Sequence, residues 1–266
     1  MTEALYTPAG DGTTYRSGPL TVGPWNPGLQ HGGPPSALLI REFERLPGAW
    51  PFSIVRQTVE IMGPVPVADV TVESRVARSG RSVEMVEAEL SAGGRVALRA
   101  RAWRIRQSEL ELPPDATPHV APPPMPAEDT PLPDTWTAPL ITALQMRFVS
   151  GAWREPGPAT VWARLTIPLV EGEDPSPLQR LLVLADSGNG ISNALPPSRF
   201  VFINPELTVH LTRQPEGEWM CLDASTIADP KGFGLASSKL YDERGLVGLG
   251  AQSLYLGPRD LKANPT

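Results

Sequence analysis

Apolar and polar positions follow two periods along the chain. Leu38, Leu39, Phe43 and Leu46 recur at helical spacing, with Arg41, Glu42, Glu44 and Arg45 on the other side. They predict an amphipathic helix of roughly three turns. It begins after Gln30-His31-Gly32-Gly33-Pro34-Pro35 and is stopped by Pro47-Gly48-Ala49-Trp50-Pro51. Strand-like runs follow at Phe52–Met62, Ala68–Ala77, Ser82–Leu90 and Arg95–Ile105, with Ala92-Gly93-Gly94 as a hairpin turn. The order then recurs. Leu178–Leu195 predicts a second, mostly buried helix that carries one carboxylate inside it, started by Ser176 as N-cap and Pro177 at the first helical position. Strand-like runs come next at Phe200–Thr212, Glu218–Ile227, Gly234–Leu240 and Leu246–Leu256, with a turn at Asp242-Glu243-Arg244-Gly245. Shorter strands are predicted over Tyr15–Val22, Ala143–Ser150 and Ala159–Val170. Residues up to about Thr13 read as loosely held.

The two halves also match by sequence. QTVEIMGPVP at 57–66 lies over LTVHLTRQP at 207–215, and AELSAGGRVALRARAWRI at 88–105 lies over SKLYDERGLVGLGAQSLYL at 238–256. In that overlay Arg101 falls opposite Gln252. A repeat of this length predicts a duplicated domain. The fold class is α+β, each half being a helix wrapped by an antiparallel meander. The expected units are 1–106 and 136–266. Between them, 107–135 holds nine prolines and few bulky apolar residues, and reads as a stiff, extended spacer.

The remaining composition narrows the chemistry. A net charge of -6 argues against nucleic acid as a partner. No apolar run is long enough to span a membrane, and the start lacks the pattern of a secretory signal. The single Cys221 reads as a small buried hydrophobe, and a cytoplasmic location is expected. His31, His119 and His210 are scattered, which predicts no metal site. The most informative residue is Asp186, which follows Leu181-Leu182-Val183-Leu184-Ala185 and precedes Ser187-Gly188-Asn189-Gly190. A carboxylate in that setting must be hydrogen-bonded or paired. Asp186 and Ser187 also read more plainly as a helix end at Gly188.

Four features together resemble the double-hotdog acyl-CoA thioesterases, the bacterial acyl-CoA thioesterase II type and its relatives. They are Gln30-His31-Gly32-Gly33, LLVLADSGNG, Pro205–Leu211 and Gly250-Ala251-Gln252-Ser253. The resemblance implies a tandem (double) hotdog fold, an acyl-CoA substrate, no cofactor, and a place in lipid metabolism. It assigns Asp186 and Gln252 as catalytic residues. Where the family has threonine or serine as the third water-binding group, this chain has Asn204, with Thr208 on the same strand face as the alternative. The strand's usual aspartate is Glu206. His31, Gly32, Gly33 and Gly188 are the candidates for substrate contact or oxyanion stabilisation. The half with Gly32-Gly33 and Arg101 is expected to carry no second catalytic set.

A thioester has a good leaving group, so its hydrolysis needs a positioned water and a stabilised oxyanion. Asn204 leaves a second reading open, a non-catalytic double hotdog that binds acyl thioesters or lipids. A hydratase would need an aspartate and a histidine working together on one helix, and no histidine lies within the second helix. A closed symmetric homodimer is the default expectation.

Overall fold

The computed structural model describes residues 3–116, 119–133, 138–153 and 155–259. In chain order the elements are β1 (Tyr6–Pro8), β2 (Thr14–Ser17), α1 (Gly33–Arg45), β3 (Phe52–Ile61), β4 (Asp69–Arg78), β5 (Val83–Ala92) and β6 (Arg95–Arg106). After the proline-rich stretch come α2 (Pro139–Thr142), β7 (Leu144–Ser150), β8 (Ala159–Leu165), α3 (Pro177–Ala185) and α4 (Gly188–Ile191). The chain then forms β9 (Phe200–Ile203), β10 (Glu206–Leu211), β11 (Trp219–Asp229), β12 (Phe233–Asp242) and β13 (Gly245–Pro258).

All strands belong to one 13-stranded sheet with the order β1-β2-β4-β5-β6-β3-β10-β13-β12-β11-β8-β7, β9 pairing on the side with β13. The two halves meet where β3 runs antiparallel to β10, with Thr58 opposite Thr208. The two-fold relation of the repeat therefore passes between these threonines. It also corrects the sequence overlay by one residue. Arg101 pairs with Thr58, and Ala251 pairs with Thr208, so the counterpart of Gln252 is the buried Ala102. Arg101 faces outward beside Glu87.

The helices α1 and α3 lie side by side and run in opposite directions. The start of α1 meets the end of α3, where Gly33 stands against Val183 O with no room for a side chain. Only glycine allows backbones so close. At the other end Glu44 accepts hydrogen bonds from Ser176 Oγ (2.7 Å) and Gln179 Nε2 (2.6 Å). Burial is the largest influence on the Glu44 carboxyl and pushes its pKa up. Leu38, Leu39, Ile40, Phe43, Leu181, Leu182 and Val183 fill the space beneath the sheet and are essentially inaccessible. Each such side chain contributes roughly 1.5–3 kcal/mol.

Several expectations need correction. Leu5 and Tyr6 are fully buried, and β1 hydrogen-bonds the second half through Leu5 N–H to Pro168 O (3.0 Å) and Tyr6 N–H to Leu169 O (2.9 Å). Arg41 does not face solvent. It is buried, and its Nε donates to Glu173 Oε2 at 2.7 Å. The helix expected over Leu178–Leu195 stops at Ala185 and restarts as α4. The run Phe200–Thr212 is two strands, because Pro205 has no N–H to carry the ladder on.

The proline-rich stretch is no free spacer. Pro123 O accepts from Trp162 Nε1 (3.1 Å), Val120 O from Leu246 N (3.0 Å), and Met125 packs on the buried Trp162, Cys221 and Tyr241. Its residues 117–118 and 134–135 lie outside the described ones. Among the described residues no helix is long and apolar enough to cross a membrane.

Candidate active site

Asp186 caps the C-terminus of α3, where the chain turns before α4. It is 7 % exposed. Its Oδ1 accepts from Asn204 Nδ2 (2.8 Å) and from Gln252 Nε2 (3.0 Å). Burial raises its pKa above the ordinary value, against the opposing pull of His31, the amides of Asn204 and Gln252, and the backbone N–H of Gly32.

Each partner has a local reason for its position. Asn204 occupies the break between β9 and β10, where its side chain is free to turn toward the helix. Gln252 points inward from β13 and is nearly inaccessible. Its Nε2 also donates to Asp186 O (3.1 Å), while its Oε1 accepts from Asn189 N–H (3.1 Å). The amide thus locks the α3–α4 turn. Gly188 leaves the space it needs, since a Cβ there would stand 3.1 Å from Gln252 Oε1 and 2.8 Å from Ser238 Oγ. Glu206 takes no part at Asp186. It accepts from Ser253 N–H (2.7 Å) and so fixes β13 beside Gln252. Thr208, the alternative third group, does not reach Asp186 either: its Oγ1 lies 3.1 Å from both Thr58 Oγ1 and Glu206 Oε2, at the seam between the halves.

His31 comes from the other half. Its Nδ1 stands 3.3 Å from Asp186 Oδ2 and accepts the Gly33 N–H at 3.0 Å. When the ring is neutral, an Nδ1 that accepts leaves the proton on Nε2. The aspartate missing near His31 in the sequence is therefore supplied by α3. Gly32 and Gly33 are neighbours of Asp186, because the antiparallel helices bring the start of one to the end of the other. The Gly33 N–H is already engaged by His31 Nδ1, and the backbone N–H of Gly32 lowers the Asp186 pKa.

Next to this cluster lies a cavity of 610 Å³, within the range of small-molecule sites. His31, Ser187 and Asn189 form its polar wall, and Leu140, Ile141, Phe148 and Trp153 contribute an apolar one. Ser187 Oγ is buried and has no hydrogen-bond partner among the described residues. The sequence marks Ser187 only as part of a helix end and Glu206 only as the replacement for the strand's usual aspartate; it gives no local signal for the walls from α2 and β7.

The chain matches the family model of the acyl-CoA thioesterase N-terminal domain over residues 21–105 and that of the acyl-CoA thioesterase C-terminal domain over residues 114–256. None of the curated proteins matches it. Among solved structures it is similar to a conserved protein of unknown function with hot dog fold from Alicyclobacillus acidocaldarius, at 17% identity and TM-score 0.71, covering 93% of this chain and 94% of that one. It is also similar to the tesB protein of Mycobacterium avium subspecies paratuberculosis, at 14% identity and TM-score 0.66, covering 95% and 96%. A third is the acyl-CoA thioesterase II TesB2 from Mycobacterium marinum, at 16% identity and TM-score 0.63, covering 99% and 97%. These likenesses establish a hotdog fold.

Proposed function

The chain belongs to the acyl-CoA thioesterase family, a family of thioester hydrolases, and from that premise we propose that it cleaves acyl-CoA by attack of a water that Asp186 activates. We read its architecture as a tandem hotdog with units 1–106 and 136–266 and one catalytic set, centred on Asp186 in the second unit and completed by His31 of the first. The observation that carries the mechanism is the unequal environment of the two Asp186 oxygens. Oδ1 is held by two amides, whereas Oδ2 is turned toward His31 on the cavity wall.

In this reading the acyl group lies along the apolar wall and the thioester carbonyl stands at the polar one. Asp186 takes a proton from the water as its oxygen bonds the carbonyl carbon, and the carbonyl π pair moves onto oxygen. The unpartnered Ser187 hydroxyl is the donor to that oxyanion. Collapse of the intermediate breaks the carbon–sulfur bond and expels the CoA thiolate. The proton held by Asp186 passes through His31 to the sulfur, His31 Nδ1 accepting it and Nε2 giving one up. The products are a carboxylic acid and free CoA. Gln252 and Asn204 act through Asp186 and are positioning residues.

The test is free-thiol release from acyl-CoAs of graded chain length by wild type and Asp186→Asn. Turnover in the wild type that falls at least roughly a hundredfold in the variant supports the reading. Tight acyl-CoA binding without turnover in the wild type overturns it in favour of a binding protein.

A further inference from the structure

Resting on that reading, we propose that Arg199 and Arg259 form an anion subsite at the cavity, which takes a negatively charged group of the thioester substrate. Arg259 lines the same cavity as His31 and Ser187. Its Nε is buried and has no hydrogen-bond partner among the described residues. Its guanidinium lies 5.5 Å from the ring centroid of Trp25, which also lines the cavity and is 45% exposed.

The β9–β13 ladder continues one step past Phe200 and Pro258, with Arg259 N–H donating to Arg199 O at 2.8 Å. The two arginines therefore stand opposite each other. Like charges at opposite positions repel. Three other arginines that reach into the fold have acids, Arg41 with Glu173, Arg104 with Glu84 and Arg213 with Asp242, while Arg56 Nε shares with Arg259 Nε the lack of a partner but lies away from this cavity. Among the described residues neither Arg199 nor Arg259 meets a carboxylate. In a chain of net charge -6, two facing arginines that meet no carboxylate among the described residues, one of them, Arg259, on the cavity wall, suit a ligand anion.

A guanidinium fork suits phosphate and carboxylate alike. The anion is therefore either a phosphate of the CoA or a carboxylate on the acyl group. Steady-state thiol release separates the two. The substrates are an acyl-CoA, the matching acyl-pantetheine without phosphates, and an ω-carboxyacyl-pantetheine. The variants are Arg259→Gln and the double variant Arg199→Gln/Arg259→Gln. The expected result is KM raised at least about tenfold for anion-bearing thioesters, with kcat little changed and neutral acyl-pantetheine unaffected. Loss on acyl-CoA locates the anion in the phosphates; loss on ω-carboxyacyl-pantetheine locates it in the acyl group. An equal KM rise on neutral acyl-pantetheine, or no change on any substrate, overturns the proposal. If the wild type turns over no thioester, the functional reading fails, and calorimetric titration with CoA and with ω-carboxyacyl-pantetheine still tests the subsite. There the same Kd in wild type and double variant for both compounds overturns it.

Discussion

His31 Nδ1 and Asp186 Oδ2 stand 3.3 Å apart, although the histidine precedes α1 and the aspartate ends α3. The contact exists because the helices run antiparallel with Gly33 at their crossing. The carboxylate is buried, and its elevated pKa is the energetic mark of that position.

Asp186→Asn should stabilise the fold at neutral pH while removing activity. Well below pH ~4, Asp186 is protonated in both folded and unfolded chains, and the two proteins should melt alike. As pH rises through the elevated folded pKa, the unfolded chain releases the proton more readily, so the wild type loses stability and the variant does not. Melting curves from that acid range up to pH 8 check this. A variant that melts lower at neutral pH would contradict it.

Gln252→Ala and Asn204→Ala should each slow thiol release by roughly 10- to 1000-fold. Each amide lowers the Asp186 pKa, so its removal should also move the acid limb of the pH–rate profile upward. The wild-type limb itself should lie above the ordinary carboxylate range. A rate loss with an unmoved limb would mean that the amides merely support the α3–α4 turn.

Gly33→Ala and Gly32→Ala should fail differently. A Cβ on Gly33 would collide with Val183 O and force the helices apart, at a cost of about 1–3 kcal/mol. A Cβ on Gly32 would stand 2.6 Å from Asp186 Oδ2. Urea unfolding should register the first more strongly, and thiol release the second.

Ser187→Ala should lower kcat by about 10- to 100-fold without lowering the melting temperature. The hydroxyl makes no cap bond in α4, so no native hydrogen bond is lost. Unchanged kcat would remove Ser187 from the oxyanion site.

Asp242→Asn should destabilise the protein by about 3 kcal/mol at neutral pH. Asp242 is inaccessible and accepts Arg213 through both oxygens, at 2.5 and 2.6 Å. Burial opposes its ionisation, yet Arg213 and the N–H groups of Glu216 and Arg244 hold its pKa below the ordinary value. The stabilisation is therefore present above the ordinary carboxylate pKa and is lost as pH falls through the depressed one. Denaturation of wild type and variant should converge in acid.

The fold was legible where periodicity is local. The strand expected over Ala68–Ala77 is β4, with Val70 and Val72 buried and Val76 exposed. The second helix is shorter than its apolar run, which continues past Asp186; of the two readings of that stretch, the helix end at Asp186-Ser187 is the one observed, and the Gln252 contacts hold the turn there. Thr208 looked eligible because strand alternation gives the face of a residue but not its neighbour across the seam. Asn204 follows from the resemblance, yet its reach depends on the break at Pro205. His31 is legible as a substrate-contact candidate but not as a neighbour of Asp186, because nothing in the linear order shows which ends of two helices meet.

The proline-rich stretch has a consequence for solubility. β7 is a terminal strand of the sheet, and such a strand offers unpaired backbone groups to any passing chain. Thr130 occupies two of them, its N–H bonding Met146 O (2.8 Å) and its Oγ1 accepting Phe148 N–H (2.9 Å). Pro131 follows at once and has no N–H with which to begin another ladder. The segment thus closes the sheet without extending it, and shortening it would release a sticky edge and favour aggregation.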